Sequence, residues 1–416
     1  MSIQLIDSTI PFRPLVSWDR RAQGALHDVH VLDLSRFIAG PLCAQNLGDL
    51  GADVIKVERP GGEDSRDTEP KTNGKALYTM LYNRNKRAIT LNPRNPDGRA
   101  ILRRLAEWAD VIVENYRPGT LDQMGLDEPT LRKTNPGVIV VSISGYGQDG
   151  PYRDRLLFDC IAQAMSGLMD MNAGPDELPR LTKMFPGDTA AATQATSAAL
   201  AALFHHQRTG EGQRVDISVL DCLVAALGAS LPANLAFGAV PQHEGNRDPF
   251  NAPANLFHAR DGFVYIHAGT DSFWSRFCLE ILEQPELVED RQFNSTTART
   301  RNTAAIEAIV TGWTINRTGL EVEEVLKRVG IPCSRVARVG DAARNQQLWS
   351  RDMIFRSLDT DGDEIFLLGY PARFSGKPVT MRYAPPTIGE HTEQVLSEIL
   401  GFDEAGIARL RAAGAV

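Results

Sequence analysis

The sequence predicts an α/β protein in which a parallel sheet is covered by helices. Three observations carry that prediction. Short apolar runs rich in Val and Ile recur along the first 220 residues, as buried strands do. Segments with helical spacing lie between them at short intervals, which is the pattern of a parallel sheet with crossover helices. The composition, 43% hydrophobic and 23% charged, is that of an ordinary globular chain. At 416 residues the chain is long enough for two or three domains, or for one elaborated α/β domain.

Residues 1–26 carry no clear period and read as an extended arm. Val29–Ser35 (VHVLDLS) is the first strand, punctuated by Gly40-Pro41 and followed by a helical stretch ending at Gly51. Asp53–Glu58 (DVIKVE) is the second strand, and RPGGEDSRD is a Gly- and charge-rich loop. Ala88–Pro93 is the third, after which Pro96 opens a helix, as proline at a first helical position does. Asp110–Tyr116 and Gly137–Gly147 are two more strands. RVDISVLDCLVAALG begins as a strand and passes into a helix. The texture changes near residue 225. A loop-like stretch leads to DGFVYIHAG, which reads as a strand after a turn; residues 271–330 are mostly helical, and Gly330–Val339 reads as the return into a second α/β segment.

Several function classes are excluded. Lys plus Arg is 44 and Asp plus Glu is 52, a net charge of −8, so no nucleic-acid partner is expected. Five scattered cysteines with no CxxC pair argue against a disulfide framework and a zinc site; they read as small buried hydrophobes in a reducing compartment. The N-terminus lacks a signal-peptide pattern. The uncharged run Cys222–Val240 is Ala/Gly-rich and reads as a buried helix broken at Pro232, not a membrane span. No membrane association and a cytoplasmic location are therefore expected. No GxGxxG, GxxxxGK[ST] or GxSxG is present. None of the eight histidines stands in a metal-ligand arrangement, and no metal is expected. His205-His206 reads as a helix-terminal pair favoured by the dipole.

An ordered set of segments goes further. VLDLSRFIAGPLCAQNLGDLGADVIKVERPGGEDSR, NRNKRAITLNPRNPDGR, ADVIVENYRPGTLDQMGL, GYGQDGPYRDR, FDCIAQAMSGLMD, RTGEGQRVDISVLD, GNRDPFNAPANLF, GIPCSRV and APPTIGEHTEQVL follow one another from about residue 27 to the C-terminus. Together they closely resemble the family III CoA-transferases, the CaiB/BaiF family. The resemblance implies a Rossmann-like large domain formed by N- and C-terminal segments, with a smaller central α+β domain. The large domain would take residues 27–224 and 331–416, and the small domain with its linkers 225–330. It also implies an interlocked homodimer. The substrates would be an acyl-CoA and an organic acid, with no tightly bound cofactor.

The family's nucleophile is an aspartate in a Gly-Asp turn before an Ala-rich helix. Here that is Asp188, after Pro186-Gly187. The residues alone read it as a helix N-cap. The two roles are compatible, because a helix N-terminus favours a carboxylate and any oxyanion beside it. The resemblance further implies that Phe37, Ile38, Arg59, Leu91, Arg94, Asn115, Tyr116 and Arg117 line the CoA site. Lys86-Arg87 reads as structural or surface charge. Phe158 and Asp159 fall in the substrate pocket, Phe158 against the acyl or pantetheine part and Asp159 within a polar network.

The chain also departs from the family. Ile38 stands where formyl-CoA transferase has Gln, and Gln123 where it has a basic residue; GNRDP (Gly245–Pro249) replaces its glycine-tetrad loop. These differences turn the expectation away from oxalate and formate, towards succinyl-CoA with a carboxylic or dicarboxylic acceptor. A 2-methylacyl-CoA racemase of the same family would need a His where Phe158 stands, since racemisation needs a proton acceptor on each face. A non-catalytic CoA-binding subunit of a hetero-oligomer is the reading from another class, against which the retained Asp188 counts.

Overall fold

The computed structural model describes residues 13–175, 177–239 and 243–416. The chain divides into two compact units. The first comprises Met1–Met169, Leu181–Val240 and Gln346–Val416; the second comprises Asp170–Arg180 and Pro241–Asn345.

The first unit is built on six strands: β1 (His30–Asp33), β2 (Asp53–Glu58), β3 (Lys86–Thr90), β4 (Val111–Glu114), β5 (Ile139–Ser144) and β6 (Arg214–Ser218). Their order across the sheet is β3-β2-β1-β4-β5-β6, and every neighbouring pair is parallel. That is the doubly wound nucleotide-binding order, with its reversal between β1 and β4. β1 to β5 are nearly all buried because both faces are covered, while the edge strand β6 is partly exposed. Alternation along β1 sends Val31 to one face and Leu32 to the other. On the first face, Leu32, Ile55 and Ile89 pack with Ile101 and Leu105 of α2 (Pro96–Trp108), and with Val395, Leu396, Ile407 and Leu410 of the C-terminal helices. The C-terminal segment is therefore part of this core.

The second face is closed by α1 (Ala39–Asp49) and by α4 (Pro186–Thr209), with α3 (Asp159–Ser166) and α5 (Val219–Ala226) beside them. Helix α4 buries Ala191, Ala195, Ala199 and Ala202. These small side chains form a low ridge that lets α4 lie close to the sheet and α1. The described part of the N-terminal arm runs onto a hairpin of Ile354–Leu358 and Glu364–Leu368. Val16 N donates to Arg356 O at 2.8 Å and Trp18 Nε1 to Leu358 O at 2.7 Å. Residues 1–12 of the arm lie outside the described residues.

The uncharged run forms α5 and α6 (Ser230–Phe237), bent by 77°. The break falls at Leu227–Ala229, where Gly228 has φ +61°, and not at Pro232. Pro232 sits in the first turn of α6, where its missing N–H costs little. Helix α6 is not buried as expected: Leu235 and Phe237 are exposed. Among the described residues no single helix is long and apolar enough to cross a membrane.

The second unit carries an antiparallel sheet of Ala254–Ala259, Gly262–His267 and Cys333–Arg335, with Gly262–His267 central. Its core holds Phe257, Ile266, Trp274, Phe277, Trp313, Leu326 and Ile331. Gly330–Val339 was expected to return to the large domain. Instead Cys333 pairs with Ile266 and Arg335 with Val264, so this stretch completes the second unit's sheet and the return begins at Gln346. The front boundary also falls later than residue 225, because α5 and α6 belong to the first unit. In the GNRDP loop, Arg247 is paired with Glu307 at 2.9 and 2.8 Å, within the same unit.

Candidate active site

A cleft of about 580 Å³ opens in the first unit at the carboxyl ends of β1, β4 and β5. This is the point where the strand order reverses, the usual ligand position in an open α/β sheet. Phe37, Ile38, Asn115, Tyr116, Arg117, Phe158, Asp159 and Asp188 all line it. Arg59, Leu91 and Arg94 do not. Arg59 directly follows β2, is mostly exposed, and pairs with Asp64. Leu91 directly follows β3 and its side chain lies in the core, 1% exposed. Arg94 is exposed in the same loop, its N–H donating to Asn92 Oδ1 at 3.2 Å. These three share the carboxyl edge of the sheet with the cleft, but not its walls.

The turn after β1 is held by buried charge. Asp33 Oδ1 accepts from Ser35 N at 2.9 Å and Ser35 Oγ at 2.5 Å, while Oδ2 takes Lys86 Nζ at 2.8 Å. Lys86 also donates to Pro41 O and Asn83 Oδ1, at 2.8 and 2.9 Å. Lys56 Nζ donates to Ser35 O at 2.6 Å and lies 3.2 Å from Glu63. Burial alone would push Asp33 up, but Lys56 and Lys86 hold it below the ordinary carboxylate range. Burial brings Lys86 down to about 8, leaving it mostly charged at neutrality. Arg87 is likewise buried and paired, with Asp53 Oδ2 at 2.5 Å. Lys86 and Arg87 are thus structural.

The network supports an unusual backbone. Phe37 has φ +65°, a left-handed conformation that a bulky residue rarely adopts and that costs about 1–3 kcal/mol. Glu63 Oε2 accepts Phe37 N at 3.0 Å and stabilises it. Next to it, Asn115 Oδ1 accepts from Arg36 N at 2.8 Å while Asn115 Nδ2 donates to Arg36 O at 2.7 Å. That reciprocal pair ties the loop after β4 to the loop after β1, across the switch point.

Asp188 is not the N-cap of α4. Phe185 is, without a capping side chain, and Asp188 is the third helical residue. Two first-turn donors without a partner in the helix, Gly187 N and Asp188 N, both go to Asp159 Oδ1, at 2.7 and 3.2 Å. Asp159, itself the first residue of α3, therefore caps α4 from outside. A protein carboxylate thus takes the donors of that helix end. Gln163, one turn along α3, completes the arrangement. Its Nε2 donates to Asp159 Oδ2 at 2.6 Å and Thr182 O at 3.0 Å, and its Oε1 accepts from Thr182 N at 3.0 Å. Gln163 was not foreseen; its signal was the four-residue spacing in DCIAQ, which puts both side chains on one helix face.

Burial, and then the neighbouring Asp159 carboxylate, push Asp188 up to about 7. A desolvated carboxylate with that affinity for protons is a better nucleophile than a solvated one. Phe158 is 69% exposed and faces the same cleft; it offers no exchangeable proton. Cys160 also lines the cleft and is exposed, unlike the buried cysteines expected. Among the described residues no group of three or more His, Cys, Asp or Glu is placed to hold a metal ion.

Comparison with known proteins agrees with this architecture. The model of CoA-transferase family III matches residues 26–392. A succinyl-CoA–D-citramalate CoA-transferase of Chloroflexus aurantiacus is 35% identical over 396 residues, covering 94% of this chain and 98% of that protein. A succinyl-CoA:glutarate CoA-transferase of Mus musculus is 34% identical, covering 94% and 90%. A crystal structure of a CaiB/BaiF family protein from Brucella suis superposes with a TM-score of 0.81 at 34% identity, over 91% of this chain and all of that one. The chain belongs to CoA-transferase family III.

Proposed function

We propose that the protein moves CoA from an acyl-CoA donor, succinyl-CoA in the first instance, to a carboxylic or dicarboxylic acid, with Asp188 as the covalent nucleophile. The observation that carries the reading is the desolvated carboxylate of Asp188 in the cleft, on a helical turn whose free N–H groups Asp159 accepts.

In this reading, Asp188 attacks the thioester carbonyl, the C–S bond breaks, and CoA thiolate leaves an aspartyl–acyl anhydride. The thiolate attacks Asp188 Cγ, breaking the anhydride C–O bond and releasing the donor acid. CoA is then held as a thioester on Asp188. The acceptor carboxylate attacks that carbonyl and expels the thiolate, forming a second anhydride. Thiolate attack on the acceptor's acyl carbon gives the new acyl-CoA and frees Asp188. Covalent catalysis divides a hard exchange into easier steps. Each attacking group is an anion, so no general base is needed once Asp188 is ionised.

Phe37 and Ile38 would offer main chain to CoA, with Asn115, Tyr116 and Arg117 opposite them across the switch point. Arg59 and Arg94, with Leu91 between the sheet edge and the core, would meet the nucleotide end, arginine being suited to phosphate. The relatives' succinyl-CoA donors and dicarboxylate acceptors support the substrate class. We further propose an interlocked homodimer.

The test is kinetic. Asp188→Ala and Asp188→Asn should abolish transfer from succinyl-CoA to a panel of acids while circular dichroism and melting stay those of a folded protein. Near-wild-type turnover in Asp188→Asn would overturn the role.

A further inference from the structure

The cleft carries five basic side chains: Arg36, Arg117, Arg153, Arg155 and Lys183. Three of them are engaged. Arg36 lies over the Tyr116 ring and 3.8 Å from Asp64. Arg153 is 3.5 Å from Asp154, and Arg155 stacks on Tyr152 with 3.8 Å to the ring centroid. Arg117 and Lys183 have no ion pair or ring contact among the described residues. Arg117 follows β4 and sits on the side proposed for CoA. Lys183 lines the cleft from the segment that leads into Asp188.

The backbone around Lys183 is fixed. Gln163, fully buried, grips Thr182 at both its N–H and its carbonyl, and its Nε2 lies 3.4 Å from Met184 O. The carbonyls of the two residues flanking Lys183, Thr182 and Met184, thus turn towards Gln163 of α3, while Lys183 lines the cleft. Lys183 and Asp188 are 188 − 183 = 5 positions apart, so their Cα atoms are within about 18 Å even for an extended chain. The same Gln163 binds Asp159, which caps the Asp188 turn. One buried amide thus sets both the nucleophile's turn and the wall that bears the cation. Leu181, Met184 and Phe185 of the same segment also line the cleft and are apolar. A second carboxylate on the acid would find its counter-charge on this segment in Lys183.

Resting on the transferase reading above, we infer that Lys183 is a specificity-determining residue. It receives the distal carboxylate of a dicarboxylic acyl group while the proximal one reacts at Asp188. An ammonium on a flexible stem suits acids of slightly different length, since it acts as a point charge.

Isotope exchange tests this without mixing acid classes. Wild type, Lys183→Met and Lys183→Arg are given succinyl-CoA with labelled succinate, and separately butyryl-CoA with labelled butyrate. Butyrate has a methyl group where succinate has its second carboxylate. Wild type should favour the succinate pair. Lys183→Met should lower the succinate-to-butyrate rate ratio at least tenfold, chiefly through KM for the acid, and Lys183→Arg should restore most of it. A ratio unchanged in Lys183→Met overturns the inference and leaves the transferase reading standing. Folded wild-type protein that exchanges neither acid overturns both.

Discussion

Replacing Asp188 by asparagine should stabilise the protein, and the gain should grow with pH. The folded Asp188 carboxyl is pushed from an ordinary 3.8 up to about 7, first by burial and then by Asp159. The folded state therefore binds this proton more tightly than the unfolded chain does. Below about pH 4 both states are protonated and nothing is lost. As pH rises through about 7, the folded carboxylate is ionised at a cost approaching roughly 4 kcal/mol, or about half that if the open cleft screens the charge. Asparagine has the same shape and no charge, so it escapes this cost. Urea unfolding of both proteins at about pH 5.5 and pH 8.5 reads the difference directly. The advantage of Asp188→Asn should widen by about 1–2 kcal/mol between those conditions. An advantage that is flat or narrows with pH would refute the claim that Asp188 is desolvated. A nucleophile that destabilises its own fold is a familiar stability–activity conflict.

Further outcomes follow from the same geometry. The kcat/KM for CoA transfer should rise with pH to a plateau above about 7, because only the Asp188 anion attacks; a profile falling through that range would count against it. Asp159→Asn removes the second cause of the upward shift, so the acid limb should move to lower pH while kcat falls through the loosened turn; an unmoved limb would show that Asp159 does not act on Asp188. Lys86→Met leaves Asp33 short of its closest cation and should cost about 3–5 kcal/mol in urea unfolding, since breaking a buried pair strands a charge; a loss under about 1 kcal/mol would deny the network its role. Phe158→His should not create a racemase, and deuterium exchange at the α-carbon of a 2-methylacyl-CoA by the wild type would displace the transferase reading itself. Light scattering should find a dimer at micromolar concentration; an active monomer would contradict the interlocked arrangement.

The sheet was legible because β-runs such as DVIKVE are contiguous, carry Val and Ile, and are closed by turn residues. The second strand matches residue for residue, and Pro96 does open its helix. The misplaced break in the Cys222–Val240 run has a local cause. Proline in a first turn looks like a breaker from sequence, while Gly228 in an Ala-rich run looks harmless. Cys333–Arg335 was misassigned because a three-residue strand takes its identity from its pairing, here with Gly262–His267, and the sequence does not display that pairing.

At the site, Phe158, Asp159 and Asp188 were singled out through the family resemblance, and the fold brings them to one cleft. The network that organises them was not readable. Gln163 reaches Thr182 across 182 − 163 = 19 positions, and Lys86 reaches Asp33 across 86 − 33 = 53. Such contacts are set by tertiary packing. The N-cap expectation failed for a related reason: Asp188 has the right residue type and nearly the right position, but the cap comes from another helix.

The central claim is that CoA becomes covalently bound to Asp188, and mass spectrometry tests it most directly. Wild-type protein is mixed with succinyl-CoA without an acceptor acid, and its intact mass is recorded before and after hydroxylamine or borohydride. A CoA thioester adduct should appear, be cleaved by either reagent, map to the peptide containing Asp188, and be absent from Asp188→Asn. An adduct on another residue, or one that persists in Asp188→Asn, would contradict the account.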